Sequence, residues 1–377
     1  MINMNLNTGK ISELSKAFQI EGNNLNSEEI SDGHINNTYR VDYALNDGST
    51  EKYLIQKLNT NVFRRPVELM ENIVGVTEFI KKKIAVNNGN VKREVLNIRR
   101  AENGLPYYID SEGGFWRCYD FIDGAHSIQT VENAENFRAS AVAFGTFQNM
   151  LSDYPAKTLH ETIPDFHNTL KRYGDFCESV KSNKSCRAEN CPAEIEFIKS
   201  RENIYGMLVK ACEEGRLPVR VTHNDTKLNN VLFDNETDKA LCVVDLDTVM
   251  PGLSLYDFGD SIRFGASTAA EDEKDLDKVH FCLEYFEAYT DGFLCAAGNS
   301  LTDEEMKNLP LASIMMTLEC GMRFLADYID GDVYFKTDYP EHNLVRAHTQ
   351  LKLASEMEEQ MNEMEETVIK IRRKYSL

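Results

Sequence analysis

The chain has 377 residues, 42% of them hydrophobic, and carries a formal net charge of −20. This length is sufficient for one large or two ordinary domains, each with its own hydrophobic core. The acidic balance argues against nucleic acid or an anionic membrane surface as the main partner.

The first residues of the chain are polar and lack the apolar segment of a secretion signal. No run of about 18 apolar residues follows that would span a bilayer. Without such segments, the nine cysteines are expected to be reduced thiols. We therefore expect a cytoplasmic protein without a membrane span.

The first third of the chain has the pattern of a small β-sheet with one helix. Alternating residues predict strands over 38–44 and 51–57, and the turn-rich loop between them is typical of a β-hairpin. Pro66 opens a helical pattern with apolar residues at three- and four-residue spacing. Short strands are predicted over 94–98, 107–110 and 114–121.

From residue 123 onwards the pattern is mainly helical, with helices predicted over 134–151, 193–214, 276–294, 303–330 and 344–374. The last helix carries an apolar seam at four- and three-residue steps. Such a seam is compatible with a coiled-coil dimer contact or with packing onto the same chain, so we expect a monomer or a homodimer. The seam consists of Met357, Met361, Met364, Val368 and Ile371.

The segment 219–245 interrupts the helices with residues that carry chemistry. A short strand leads to His223, with Asp225 and Asn230 close behind, and a predicted β-hairpin ends at Asp245. The hairpin would return Asp245 to Asn230, where hard oxygen atoms can bind one Mg²⁺. Phosphoryl transfer from ATP needs two such ligands and a carboxylate that orients the attacking hydroxyl. Asp225 is the predicted base; the alternative is a loop rich in Asp and Asn for its turns alone.

The segments HNDTKLNN, VVDLD and YDFGD resemble motifs of the aminoglycoside phosphotransferase and choline kinase superfamily. Longer segments resemble the N-acetylhexosamine 1-kinases: DGHINNTYRV, YLIQKLNTNVF, LMENI, DLDTVMPGLSLYDFGDSIRFGA and GMRFLADYIDGDVYFK. The resemblance implies an α+β, two-lobed, protein-kinase-like fold. Residues 1–122 would form a nucleotide-binding N-lobe with a small sheet and one main helix, and residues 123–377 a helical catalytic and acceptor-binding C-lobe.

The same resemblance implies a reaction. The γ-phosphoryl of ATP, with Mg²⁺ as cofactor, would pass to the anomeric hydroxyl of N-acetylglucosamine or N-acetylgalactosamine. Other acceptors within the superfamily are a different sugar, choline or an aminoglycoside, and a cationic acceptor would need carboxylates or an aromatic cage. A non-catalytic, kinase-fold binding protein is the alternative from another class.

On the nucleotide side, Asn36 and Thr38 can supply hydrogen-bond donors to the phosphates. A lysine on the third strand normally contacts the phosphates and pairs with a helix glutamate. Lys57 is the predicted residue, with Glu68 or Glu71 as its partner. Gln56 occupies the neighbouring position, and because the two point to opposite faces of the strand, only one can serve.

On the acceptor side, the resemblance implies that the sugar contacts His34, Asp225, Phe264, Arg323 and Tyr334. Arg323 has donors for ring hydroxyls or an acetamido oxygen, although an internal ion pair, for instance with Asp327, would also explain it. The resemblance also implies that Asp257 supports the catalytic loop. Asp247 would bind a second Mg²⁺ through water or only stabilise its turn.

Overall fold

The computed structural model describes residues 6–30 and 35–377. Its backbone divides into two compact units. Unit 1 comprises Met1–His126, Thr158–Ile163 and Leu232–Val249, and unit 2 comprises Ser127–Lys157, Pro164–Val231 and Met250–Leu377. Strands dominate the N-terminal region and helices the C-terminal region, which confirms the predicted α+β class. The functional boundary between residues 122 and 123 stays a prediction.

The N-terminal region contains the predicted sheet and its main helix. The order of its elements is α1 (Thr8–Ala17), β1 (Asn23–Ile30), β2 (Asn37–Ala44), β3 (Thr50–Lys57), α2 (Pro66–Val86), β4 (Ile98–Arg99), β5 (Tyr108–Ile109), β6 (Phe115–Asp120) and β7 (Ala125–Ser127). The sheet order is β1-β2-β3-β6-β4, with β5 also paired to β6, and the pairs are antiparallel. The predicted β2–β3 hairpin and the helix beginning at Pro66 are confirmed.

The two faces of this sheet have different surroundings, because side chains alternate along a strand. One face is apolar and packs against α1; its core includes Ile11, Leu14, Phe18, Tyr39, Val41, Tyr53, Ile55 and Trp116. The other face carries Thr38, Gln56 and Arg117, which are opposite one another across β2, β3 and β6. This polar face is the one relevant to the candidate site.

The remaining elements begin with α3 and alternate between helices and short strands. They are α3 (Ala134–Met150), α4 (Thr169–Ser182), α5 (Pro192–Lys199), α6 (Glu202–Tyr205), α7 (Met207–Glu213), β8 (Arg220–Thr222), β9 (Val231–Asp234), β10 (Ala240–Val243), β11 (Met250–Gly252), α8 (Ser254–Gly265), α9 (Leu283–Ala297), α10 (Asp303–Lys307), α11 (Leu309–Asp330), α12 (His342–Glu359) and α13 (Met361–Tyr375). The predicted β9–β10 hairpin is confirmed, and β7 extends it to three strands in the order β10-β9-β7. In unit 2, β8 pairs with β11.

Three of the predicted long helices are interrupted. The stretch 193–214 contains α5, α6 and α7, whereas 303–330 divides at Asn308 and 344–374 at Gln360. Pro310 explains the second break, since proline is favoured in the first helical turn and lacks the amide that a continuous helix would need. The stretch 276–294 becomes helical only at Leu283, after a short 3-10 turn.

The core of unit 2 encloses both α11 and the C-terminal seam. Among the described residues, one helix, α11, is long enough and apolar enough to cross a membrane. However, 78% of its 18-residue apolar stretch is buried inside the protein. The seam residues Met364, Val368 and Ile371 of α13 are also buried in this core. The seam therefore packs onto its own chain, while the oligomeric state stays a prediction.

Candidate active site

The loop over residues 223–230 follows β8 and is held by α8. Asp257 of α8 accepts hydrogen bonds from the backbone N–H groups of His223, at 2.9 Å, and Asn224, at 2.8 Å. Burial raises the pKa of Asp257, although these donors oppose the change. Asn224 has a positive φ of 65°, a conformation that asparagine tolerates better than most residues. Asp257 thus supports the backbone directly before Asp225, as the resemblance implied.

Asp225 has a charged neighbour that the sequence analysis did not assign. Lys227 Nζ lies 3.0 Å from Asp225 Oδ1. Burial alone would raise the pKa of Asp225, but Lys227, with smaller contributions from His223 and Arg263, holds that pKa below its ordinary value. Asp225 is therefore an ionised hydrogen-bond acceptor at neutral pH. The spacing of two residues between Asp225 and Lys227 is the sequence signal that could have identified the pair.

Asn230 is oriented by Asp225. Its Nδ2 donates to the main-chain carbonyl of Asp225 at 2.8 Å and to Asp225 Oδ2 at 3.2 Å. Because the amide nitrogen has these two partners, the amide oxygen is directed away from them. That oxygen is the atom a hard cation such as Mg²⁺ would bind.

Asp245, in unit 1, ends the β9–β10 hairpin with a positive φ of 58° and precedes a 3-10 turn over Leu246–Thr248. Among the described residues, no group of three or more His, Cys, Asp or Glu side chains is placed to hold a metal ion. Protein Mg²⁺ sites commonly use one or two carboxylates and complete the shell with water and substrate phosphates. Asp245 can supply one such carboxylate and Asn230 one amide oxygen, while their binding of one Mg²⁺ stays a prediction.

The carboxylate of Asp247 is bound on both oxygens within unit 1. It forms a buried ion pair with Arg117 and accepts a hydrogen bond from Asn36 Nδ2 at 2.7 Å. Arg117 Nε donates to Gln56 Oε1 at 2.9 Å, and Gln56 Nε2 donates to Thr38 Oγ1 at 2.9 Å. These contacts favour the turn-stabilising alternative for Asp247. The predicted nucleotide contacts of Asn36 and Thr38 stay predictions.

Lys57 lies on the opposite face of the sheet from this network. It is paired across the strands with Trp116, and its Nζ lies 5.7 Å from the centre of the Trp116 ring. The two glutamates predicted as its partners have other contacts, because Glu68 pairs with Arg65 and Glu71 with His160. The described contacts of these two glutamates do not include Lys57, and the predicted pairing stays a prediction.

Arg323, on α11, is surrounded by aromatic rings. Its guanidinium carbon lies 5.5 Å from the ring centres of Phe166 and Phe335 and 5.8 Å from that of Tyr334. Its ion-pair neighbour is Glu319, at 3.8 Å, rather than Asp327. The structure thus brings together two of the predicted acceptor residues, Arg323 and Tyr334.

Asp327 has a different role from the ion pair considered in the sequence analysis. Its carboxylate accepts the backbone N–H groups of Val333, Tyr334 and Phe335 at 2.8–2.9 Å and the side-chain amide of Asn343 at 2.8 Å. It therefore fixes the loop that follows α11. Tyr334 itself projects from this loop with 66% of its surface exposed.

A buried pair connects the Arg323 group with the 223–230 loop. His167 Nδ1 lies 2.9 Å from Glu319 Oε1, and His167 Nε2 lies 3.4 Å from the carbonyl oxygen of Asn224. Glu319 is 1% exposed, and its Oε2 has no hydrogen-bond partner among the described residues. Both residues were missed by the sequence analysis, since neither belongs to a local motif.

Two predicted acceptor residues are not part of this group. Phe264 lies half-buried in the last turn of α8, and the described ring contacts around Arg323 do not include it. His34 lies outside the described residues.

Comparison with known proteins identifies the family. The model of the phosphotransferase enzyme family (APH) matches residues 85–289, more than half of the chain. This range includes Asp225, Asn230, Asp245 and Phe264.

Solved structures with similar folds include several kinases. The choline kinase from Cryptosporidium parvum Iowa II has a TM-score of 0.55 and 15% sequence identity, over 95% of this chain and 97% of that chain. The microcompartment-associated aminopropanol kinase has a TM-score of 0.59 and 14% identity, over 95% and 98%. An amicoumacin kinase in complex with AMP-PNP, Ca²⁺ and Ami has a TM-score of 0.56 and 13% identity, over 93% and 92%.

At these identities the structural similarity establishes the fold, which confirms the predicted protein-kinase-like class. The family match is independent of that similarity and rests on the sequence of residues 85–289. The chain therefore belongs to the phosphotransferase enzyme family.

Proposed function

We propose that this protein is an ATP- and Mg²⁺-dependent kinase that phosphorylates the anomeric hydroxyl of an N-acetylhexosamine. N-acetylglucosamine and N-acetylgalactosamine are the two candidate acceptors. The general reaction is supported by family membership and by Asp225, Asn230 and Asp245, whose residue types and spacing suit phosphoryl transfer. The identity of the acceptor is supported by the surroundings of Arg323.

The group around Arg323 is suited to a neutral acceptor. Recognition of a cationic acceptor such as choline commonly uses an aromatic cage. Here Phe166, Tyr334 and Phe335 surround the guanidinium of the protein's own Arg323. The pKa of Arg172 is lowered, first by burial and then by the positive charge of Arg323. A second guanidinium therefore lies close to Arg323.

The buried pair of His167 and Glu319 connects the surroundings of Arg323 with the backbone next to Asp225, the proposed base. His167 contacts both Glu319 and the carbonyl of Asn224, the residue before Asp225. Two arginines in this region disfavour an added positive charge, whereas their N–H groups suit ring hydroxyls or an acetamido oxygen. An uncharged amino sugar derivative satisfies both conditions.

Each residue then has a defined task in the reaction. Asp225 accepts a hydrogen bond from the attacking hydroxyl and takes its proton as the new O–P bond forms and the bond from the γ-phosphorus to the departing ADP oxygen breaks. Asn230 and Asp245 would hold Mg²⁺, which would supply charge neutralisation at the phosphates. Arg323 and Tyr334 orient the sugar, with Phe264 and His34 as further predicted contacts. No covalent enzyme intermediate is required, because positioning and charge neutralisation account for this chemistry.

An acceptor panel tests the proposal. Nucleotide consumption is measured with N-acetylglucosamine, N-acetylgalactosamine, glucose, choline and kanamycin, and the product is examined by phosphorus NMR. We expect an N-acetylhexosamine 1-phosphate. The 1-O-methyl glycoside of N-acetylglucosamine is the matched control and should not react, because it lacks the proton that Asp225 would take.

A 6-phosphate product or turnover of the methyl glycoside would overturn the anomeric assignment while leaving a sugar kinase. Preferential turnover of choline or kanamycin would assign the protein to a cationic acceptor. Binding of nucleotide without consumption with any acceptor would favour the non-catalytic alternative.

A further inference from the structure

The polar face of the unit 1 sheet contains a continuous set of contacts centred on Arg117. Arg117 lies on β6 with its side chain 2% exposed. On one side it donates to Gln56, which in turn donates to Thr38. On the other side it pairs with Asp247, which accepts a hydrogen bond from Asn36. A second hydrogen bond of the Asn36 side chain extends this set of contacts: the backbone N–H of Asn59 donates to Asn36 Oδ1 at 3.0 Å.

The residues at the ends of this set belong to the predicted nucleotide site. Asn36 and Thr38 were assigned to the phosphates, and Asp247 follows the predicted metal ligand Asp245 by two residues. The 3-10 turn after Asp245 contains Asp247 and therefore cannot shift without disturbing the buried ion pair. The carboxylate of Asp247 thus joins the Asn36 segment to the Asp245 turn.

Lys57 is separated from this set by the sheet itself. It shares the face of Trp116, which packs in the α1 core, and its predicted glutamate partners bind elsewhere. A side chain on that face cannot perform the same task as one on the Gln56 face without a change of strand register.

We propose that Arg117 positions the nucleotide-binding groups of unit 1, and that nucleotide binding depends more on this positioning than on the direct phosphate contact predicted for Lys57. Through Asp247 it fixes the Asp245 turn and the Asn36 segment, and through Gln56 it fixes Thr38. This inference rests on the proposed nucleotide-dependent function. Arg117 is a positioning residue, because it acts through its partners.

Arginine suits this position for geometric reasons. Its planar guanidinium has five N–H donors in a fixed arrangement, so Nε and Nη1 can hold two partners in defined directions. Asp247 compensates the buried charge; burial acts against the charged form, but Asp247 keeps the pKa of Arg117 above its ordinary value. A lysine would offer a single charged centre and lose the two-directional contact.

Calorimetric binding of AMP-PNP with Mg²⁺ tests this inference independently of the acceptor. Arg117→Lys keeps the charge but not the fork geometry. The double variant Arg117→Met/Asp247→Asn removes both charges together, so that neither is left buried without a partner. We expect the Kd to rise severalfold for Arg117→Lys and about tenfold or more for the double variant, as for lost charge-assisted contacts.

Lys57→Met tests the competing hypothesis that Lys57 is the more important residue for nucleotide binding. It should raise the Kd for AMP-PNP less than either Arg117 variant. Lys82→Met, at an exposed position of α2, is the control for a lost surface lysine. In turnover assays, the double variant should raise the KM for ATP and the Mg²⁺ midpoint but not the KM for the acceptor. This selectivity separates positioning from general destabilisation, and circular dichroism checks the folding of each variant.

A larger effect of Lys57→Met, or an unchanged Kd and Mg²⁺ midpoint in the folded double variant, would overturn the inference. If Arg117→Lys binds as well as the parent, fork geometry is not required and the inference also fails. A parent protein that binds AMP-PNP but phosphorylates no hexosamine would refute only the proposed acceptor. A parent that binds no nucleotide would refute both.

Discussion

Asn230 Nδ2 donates hydrogen bonds to both the backbone carbonyl and the carboxylate of Asp225, at 2.8 Å and 3.2 Å. The proposed base and a proposed metal ligand are therefore held together within one loop of unit 2. A substitution at either residue will influence the orientation of the other, and the effects of the two are not expected to be additive.

Asp225→Asn should fold normally and bind nucleotide but lose most of its turnover. The loop over 223–230 contains no second carboxylate that could take the hydroxyl proton. General-base contributions are typically ~10²–10⁴-fold, and we expect a fall in kcat of that order. The measurement is kcat with N-acetylglucosamine, together with binding of AMP-PNP.

Asp238→Asn is the matched control, since it makes the same chemical change at an exposed residue of the β9–β10 turn. It should retain the parent's kcat. If Asp225→Asn remains within about threefold of the parent, Asp225 is not the base.

Asp245→Asn should raise the Mg²⁺ concentration needed for half-maximal activity. Asn230 is neutral, so the substitution removes the only formal charge of the proposed ligand pair, and Mg²⁺ prefers carboxylate oxygen. Titration of activity against Mg²⁺ at saturating ATP measures the effect. An unchanged midpoint would mean that other groups hold the metal.

Glu319→Gln should raise the KM for the acceptor and also lower kcat, with little change in the Kd for AMP-PNP. Glu319 lies between Arg323, a proposed acceptor contact, and His167, which contacts the carbonyl before Asp225. Loss of a charged partner in a buried network typically costs ~1–3 kcal/mol, which corresponds to roughly 5- to 150-fold in kcat/KM.

Two further variants separate the effect on acceptor binding from the effect on turnover. Arg323→Met should act mainly on the KM for the acceptor, and His167→Gln mainly on kcat. Glu284→Gln, at an exposed position of α9, is the control for charge loss. Equal changes in acceptor and nucleotide affinity would indicate that Glu319 is only structural.

Asp110→Asn should destabilise the protein at neutral pH by about 2 kcal/mol and have little effect near pH 2. Burial opposes ionisation of Asp110, but Lys10, Trp116 and two backbone N–H groups lower its pKa from 3.8 to about 2. The stabilisation is therefore present above the unfolded-state pKa and disappears as the pH falls through the folded-state value.

Urea unfolding at several pH values between 7 and 2 measures this effect. Asp175→Asn, an exposed residue of α4, is the control. A destabilisation that is independent of pH across this range would show that the ionised form of Asp110 contributes nothing to stability.

The features predicted from the sequence depend on local patterns. The β2–β3 and β9–β10 hairpins follow from alternation and turn residues close together in the chain, and Asp257 supports the 223–230 loop as the resemblance implied. The first helix and strand were missed; β1 is mostly polar and has no buried residue, so it lacks the alternation that indicates a strand.

The remaining features depend on contacts distant in sequence. Arg117 and Asp247 are 130 residues apart, and His167 and Glu319 are 152 residues apart. The opposite orientations of Gln56 and Lys57 could be predicted from strand geometry. Which face would meet α1 could not, because α1 itself was not predicted.

The location of Arg323 and Glu319 on α11 has a consequence for engineering. This helix is long and apolar in composition and is largely enclosed by the core of unit 2. Replacing either residue to change the proposed acceptor specificity would therefore also risk thermal stability. Tyr334, a proposed acceptor contact, is exposed on a loop that Asp327 fixes through backbone bonds, so libraries could vary this position at little cost to folding.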